Sequence, residues 1–270
     1  MNVNMNNKRD ERVALFNETI RVAKKNNTPE KSLELMKDKN FNKKYDYESI
    51  MESYKNKIKD LYNTQNTKIN VLNQDTIDVA LDMNKSGLKP LVLNLASDYM
   101  PGGGCRKGAM AQEEQLYYCS DYDLLLGLHN RDEYYPLDHM KNTSILTKNV
   151  TVIRQGNYRW LDNPVRFDFL AIPALNRPIL ENNKYFVKDL QIMKKKIESI
   201  FLIAASEGYR SLLLGALGCG AYGNPVEEVV AIYKEMLTKY KKHFDVVTFA
   251  VLSPTPANNN FDKFTVLRYP

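Results

Sequence analysis

Residues Asn94 to Cys119 read NLASDYMPGGGCRKGAMAQEEQLYYC. The stretch opens as an apolar run closes, and Leu91-Val92-Leu93 reads as a buried strand. It turns through Pro101 and the glycines Gly102, Gly103 and Gly104. Cys105 to Ala111 then lead to Gln112-Glu113-Glu114, where a segment with helical spacing begins. A strand, a glycine loop and polar residues at a helix N-terminus form a unit common in α/β proteins. It sets backbone N–H groups around phosphates or presents catalytic side chains. Without Cβ atoms, this loop reaches φ > 0 and lets a ligand lie against the backbone. Two adjacent carboxylates beside it are costly unless a function uses them.

Working outward, the chain alternates from residue 67 onward. Lys68–Leu72 is an expected strand, Gln74–Asn84 a short helix ending at Gly87, and Pro90–Leu95 the strand that feeds the glycine loop. A helix is expected from about Ala109, with Leu116, Leu124, Leu125 and Leu128 on its buried side. Val150–Arg154 and Phe167–Ile172 are further strands. Lys184–Glu207 is a long amphipathic helix with Val187, Leu190, Met193, Ile197, Phe201 and Ala204 inward. Ser211–Ala216 and Val246–Leu252 are strands flanking a helix over Val226–Tyr240. Apolar strands alternating with helices indicate a sheet covered on both faces, an α/β/α sandwich.

A second glycine segment, GALGCGAYGNP from Gly215 to Pro225, again lies between a strand and a helix. Gly218-Cys219-Gly220-Ala221-Tyr222-Gly223 satisfies GxGxxG, which raises a dinucleotide-binding fold. That fingerprint belongs in the first βαβ unit, with an acid at the end of the next strand. Here one further strand follows, and the nearest acid, Asp245, precedes it. The dinucleotide reading fails on context. The two loops are expected to face each other across the C-terminal ends of neighbouring strands, where open α/β sheets bind ligands. Backbone N–H groups and the helix start at Val226 would hold phosphate oxygens there without a metal.

Residues 1–64 read as a helical extension packed on a main domain of residues 65–270. Helices are expected over Asp10–Lys25, after Thr28-Pro29, and over Tyr47–Leu61, with no strand signal among them. A separate partner-binding module is the alternative.

The 270 residues can bury one large core, and 43% hydrophobic with 26% charged residues is ordinary for a globular protein. A net charge of +6 suits a polyanionic substrate, as it suits any lysine-rich surface. No apolar run reaches membrane-span length and no secretory leader is visible, so no membrane role is expected. Cys105, Cys119 and Cys219 show no metal-type pairing and suit a reducing compartment, hence a soluble intracellular protein, cytoplasmic or nuclear. His129, His139 and His243 have no metal-site spacing, so neither metal nor cofactor is expected.

The order GGG, spacer, QEE, with Asn94 upstream, resembles the signature of the poly(ADP-ribose) glycohydrolases of the bacterial or microbial type. The resemblance implies a macrodomain-like three-layer α/β/α sandwich with a mostly buried mixed sheet that binds ADP-ribose. It implies poly(ADP-ribose) or ADP-ribosylated macromolecules as substrate, ADP-ribose as product, and no stable partner. Glu114 would be the general acid/base and Glu113 would orient ribose hydroxyls, with Asn94, Gln112 and Gly102 to Gly104 assisting. The second loop, Gly218 to Asn224, would wrap the diphosphate, with the Tyr222 ring over the distal ribose. Many family members carry Phe there, so Tyr222→Phe is expected to be nearly silent. Asp75-Thr76-Ile77 lies where macrodomains contact adenine, although a helix N-cap explains it equally. Pro173 to Arg177 lines the pocket or forms a turn.

Cleaving a ribose–ribose bond passes through an oxocarbenium-like state; the leaving hydroxyl needs a proton and the incoming water loses one. A single carboxyl group does both if its pKa is near working pH. A helix N-terminus favours the carboxylate, whereas burial beside a second glutamate opposes it. A macrodomain that binds without cleaving, a mono-ADP-ribosyl hydrolase, and a nucleotide-handling oxidoreductase are the alternatives.

Overall fold

The computed structural model describes residues 2–26, 41–57, 66–253, 255 and 258–268. The strands are β1 (Asn42–Tyr45), β2 (Lys68–Leu72), β3 (Pro90–Leu95), β4 (Ser144–Arg154), β5 (Trp160–Ile172), β6 (Leu180–Glu181), β7 (Lys184–Tyr185), β8 (Ser211–Leu214) and β9 (Val246–Ala250). The helices that matter for the site are α1 (Asn2–Asn26), α2 (Tyr47–Lys57), α3 (Thr76–Lys85), α4 (Gln112–Cys119), α5 (Val187–Ser206) and α6 (Val226–Tyr240).

Seven strands form one mixed sheet in the order β1-β4-β5-β3-β8-β9-β2, and β6 pairs with β7 alone. From β5 to β2 the pairings are parallel, whereas β4 and β1 join antiparallel. Alternate residues of one strand serve two cores. Leu91 and Leu93 pack with α2, α5 and α6, while Val92 packs with α1, α3 and α4. Both faces of β3 are therefore covered, which is why its Leu91-Val92-Leu93 segment reads as an unbroken apolar run. The three-layer α/β/α sandwich expected from the sequence is the observed architecture.

Several expectations need correction. The N-terminal segment contributes a strand: β1 pairs with β4, placing Asn42 opposite Thr147 and Tyr45 opposite Ser144. The helix expected from Ala109 to Leu128 is broken. α4 stops at Cys119, because Ser120 takes extended backbone, donates its hydroxyl back to Leu116 O at 2.6 Å, and bridges Val152. Short turns follow, and Leu128 is exposed rather than buried. α5 begins at Val187, because Lys184–Tyr185 is spent on the β6–β7 ribbon, and Val187 is exposed. β4 and β5 extend beyond their expected limits into one long hairpin. The helix expected after Pro29 and residues 58–61 of the Tyr47–Leu61 helix lie outside the described residues. Among the described residues, no helix is long and apolar enough to cross a membrane.

α1 braces the glycine loop from behind. Arg12 Nε donates to Gly108 O at 2.7 Å, and Thr19 Oγ1 donates to Tyr118 O at 2.8 Å. Gly108 has φ +69°, and a Cβ there would run into the Arg9 backbone, so helix and loop are in direct contact.

Candidate active site

The glycine loop wraps the two carboxylates. Gly103, at φ +51°, would place a Cβ 2.6 Å from Glu114 Oε1 and 3.0 Å from Glu113 Oε2. Gly102, at φ +76°, would drive one into the Tyr117 ring at 2.8 Å. The close approach lets the loop backbone bind the acids. Glu113 Oε2 accepts from Ser97 N at 2.7 Å, and its Oε1 accepts from Gly102 N at 3.2 Å and Asn94 Nδ2 at 3.3 Å. Glu114 Oε1 accepts from Gly104 N at 2.8 Å. Among the described residues, no group hydrogen-bonds Glu114 Oε2.

Glu113 is 3% exposed, and burial pushes its carboxyl up to about 8. The Glu114 charge pushes the same way, against the Ser97, Asn94 and Gly102 donors. Between about 4.5 and 8 the folded chain therefore keeps a proton that the unfolded chain has released. The folded state then binds more protons, so this group's stabilisation is full below the lower value and is lost as pH rises to the upper one. Glu113→Gln removes the titration. Unfolding measured in denaturant should show the stability gap between wild type and variant narrowing as pH rises from 5 to 8. A gap independent of pH would mean that Glu113 is ionised in the fold.

Two residues expected to touch the ligand are turned to the protein instead. Gln112 Oε1 accepts from Leu95 N at 2.9 Å and its Nε2 donates to Leu93 O at 2.8 Å, fastening the start of α4 to β3. Asn94 has no exposed surface and holds Glu113. Both position the acids.

The second loop follows β8. Asn224 organises it from inside: Nδ2 donates to Leu175 O at 2.7 Å and Gly218 O at 3.2 Å, while Oδ1 accepts from Tyr185 Oη at 2.7 Å. A Cβ on Gly218 (φ +76°) would meet that Nδ2 at 2.5 Å. Cys219 directs its thiol to Leu217 O, and burial raises that thiol, so the residue offers its backbone only. Gly220 and Gly223 face open space, and Ala221 is exposed. The first turn of α6 carries Glu227, paired with Lys263 at 2.7 Å, and Glu228, which accepts from Tyr185 N at 3.1 Å. An anion at that helix start would meet two carboxylates, so the loop glycines are the better phosphate cradle.

One contact joins the loops. Tyr222 Oη donates to Asp98 Oδ1 at 2.9 Å and accepts from Asp98 N at 3.3 Å. Asp98 Oδ2 lies 2.9 Å from His139 Nε2. Burial works against the Asp98 carboxylate, but the His139 and Tyr222 hydrogen bonds hold its pKa below the ordinary value. Ser97 N, next in the chain, holds Glu113. Ser97, Asp98 and His139 carry no site signal in the sequence, although the first two stand in the decisive stretch. No spacing rule links an aspartate to a tyrosine 124 residues away.

The weaker candidates resolve locally. Asp75 caps α3, its Oδ1 accepting from Ile77 N at 2.8 Å. Arg177 N donates to Tyr222 O at 2.9 Å, so the turn after β5 supports the second loop. Among the described residues, no cluster of His, Cys, Asp and Glu could hold a metal.

Residues 7–155 match the family described as Microbial-type PARG, catalytic domain. A comparison with curated protein sequences finds no match. Among solved structures, poly(ADP-ribose) glycohydrolase from Thermomonospora curvata is 24% identical with a TM-score of 0.83, over 96% of this chain and 99% of that one. The same protein bound to the inhibitor ADP-HPD gives 24% and 0.76, over 95% and 98%. The Deinococcus radiodurans glycohydrolase in complex with ADP-ribose gives 23% and 0.72, over 83% and 92%.

Proposed function

Because the chain belongs to the microbial-type PARG catalytic-domain family, we propose that its two loops bind ADP-ribosyl units and that Glu114 cleaves the ribose–ribose bond between them. The observation that carries the residue assignment is the asymmetry of the acid pair. Glu113 is fixed through both oxygens, whereas Glu114 is fixed through one and keeps Oε2 without a protein partner among the described residues. Adjacent helix positions diverge by about 100°, so the two side chains take different work.

In the mechanism, Glu114 gives its proton to the leaving ribose oxygen as the C–O bond breaks and an oxocarbenium-like state forms. The resulting carboxylate takes a proton from the incoming water, whose oxygen bonds to the sugar carbon. Glu113, neutral below about 8, adds no second negative charge and hydrogen-bonds ribose hydroxyls. The diphosphate lies against the N–H groups of the second loop, and the Tyr222 ring covers the distal ribose. The negative charge of the substrate's diphosphates suits a chain of net charge +6. Three free cysteines fit a reducing, intracellular compartment.

Incubation with labelled poly(ADP-ribose) tests the reading: free ADP-ribose is expected, and binding without release would reduce the protein to a reader. The hydroxyl of Tyr222 now has a task that the ring alone does not perform. Tyr222→Phe should therefore lower kcat about five- to tenfold, the value of one lost hydrogen bond, with ADP-ribose affinity nearly unchanged. Steady-state kinetics beside a thermal midpoint separate this from a packing defect. Unaltered kcat would leave the hydroxyl a bystander.

A further inference from the structure

We propose that the cavity beyond the Tyr222–Asp98 contact is a second nucleotide subsite, which takes the polymer unit on the leaving side of the scissile bond. The proposal rests on the glycohydrolase reading and adds a site to it.

The cavity has a volume of about 720 Å³, within the range typical of small-molecule sites. Its walls come from three places in the chain. Lys44 and Asp46 lie at the end of β1, His139 and Lys141 precede β4, and Asp98 and Tyr99 belong to the loop after β3. Strand register puts all three at one end of the sheet. Tyr45 pairs with Ser144, Ile145 with Ala171, and Leu95 with Ile172, so the β1 end, the β4 start and the β3 end lie side by side. The cavity thus opens at the ligand end of the sheet, on the β1–β4 flank, away from the loop after β8. Asp98 is the shared wall: its carboxylate holds Tyr222 of the ribose site and lines the neighbouring cavity.

A ribose–ribose bond joins the distal ribose of one unit to the adenosine ribose of the next. The leaving group is therefore a base and sugar followed by phosphates, and the wall residues match that set. Tyr99 is 57% exposed, with the Arg131 guanidinium 4.8 Å over one face of its ring, so a base would stack on the other face. Lys44 and Lys141 are exposed cations for phosphate oxygens, Asp46 is an acceptor for ribose hydroxyls, and the remaining wall carboxylate, Asp138, turns its Oδ1 to Met140 N and Lys141 N. Asp98 and His139 are committed to each other and contribute shape.

The test compares two substrates on Tyr99→Ala and on the double variant Lys44→Ala/Lys141→Ala. One substrate is purified poly(ADP-ribose); the other is ADP-ribose with para-nitrophenol on the distal ribose, which has no second nucleotide. All three side chains are exposed, and thermal midpoints should match wild type. On the polymer, kcat/KM is expected to fall about tenfold for each variant, the usual weight of one stacked base or a pair of phosphate contacts. On the nitrophenyl substrate, kcat/KM and the Kd for ADP-ribose should stay within about twofold. Equal losses on both substrates, or no loss on the polymer, overturn the subsite alone. A wild-type protein that releases nothing from the polymer overturns the glycohydrolase reading, and the subsite with it.

Discussion

Replacing Glu114 by glutamine should lower turnover by about 10² to 10⁴, the usual contribution of a general acid/base, while ADP-ribose still binds. The side chain keeps its length, and Gly104 N, now 2.8 Å from Oε1, retains a side-chain oxygen to donate to. What disappears is the proton that must be given to the leaving oxygen and taken from water. Since that exchange occurs only on the way to the transition state, kcat should bear the loss and the dissociation constant of ADP-ribose should stay within about threefold. A parallel loss of affinity would make Glu114 a binding group. Turnover near that of wild type would remove it from the chemistry.

Gly103→Ala should produce the second largest effect, a fall on the order of 10² in rate per folded molecule. The new Cβ would lie 2.6 Å from Glu114 Oε1. No slack absorbs it: Glu114 is 7% exposed and tied to Gly104 N, and Glu113 is held by three donors. One acid must move, and a misplacement of about 1 Å is enough for the stated loss. The left-handed backbone adds about 1–2 kcal/mol of instability for any residue with a Cβ. Gly87 separates the two costs, because it has φ +79° with nothing within 4 Å of the added atom. Gly87→Ala should lose stability and keep its turnover. Equal turnover in both variants would mean that the glycine triplet does not aim the carboxylates.

Much of the site was legible because it is written in two short runs of chain. Glycines that admit close backbone contact and acids at a helix start are properties of residue type and local order, which a sequence displays directly. Direction is another matter. Gln112, Asn94 and Asn224 lie in the two loop regions, yet their amides face β3, Glu113 and the second loop's own carbonyls. An amide does not announce which way it points. The Asp98–Tyr222 contact was invisible for a different reason, since it exists only after two distant loops meet. In the fold, the central strands were plain because burial on both faces leaves them mostly apolar, with exceptions such as Asn94. β1 was not: of its four residues, Asn42, Lys43, Lys44 and Tyr45, only the last is apolar. Its partner β4 supplies the reason for the strand.

That edge strand also fixes a timetable. Asn42 accepts from Thr147 Oγ1 at 2.6 Å, across a separation of 105 residues. A ribosome adding roughly 5–20 residues per second takes roughly 5–20 seconds to cover that interval. Through all of it β1 has been made and its partner has not. The exposed Lys43 and Lys44 suit such a wait, because adjacent charges discourage an unpaired strand from joining a stranger. Once β4 emerges it finds its outer neighbour already present, and its open backbone edge is covered as soon as it folds.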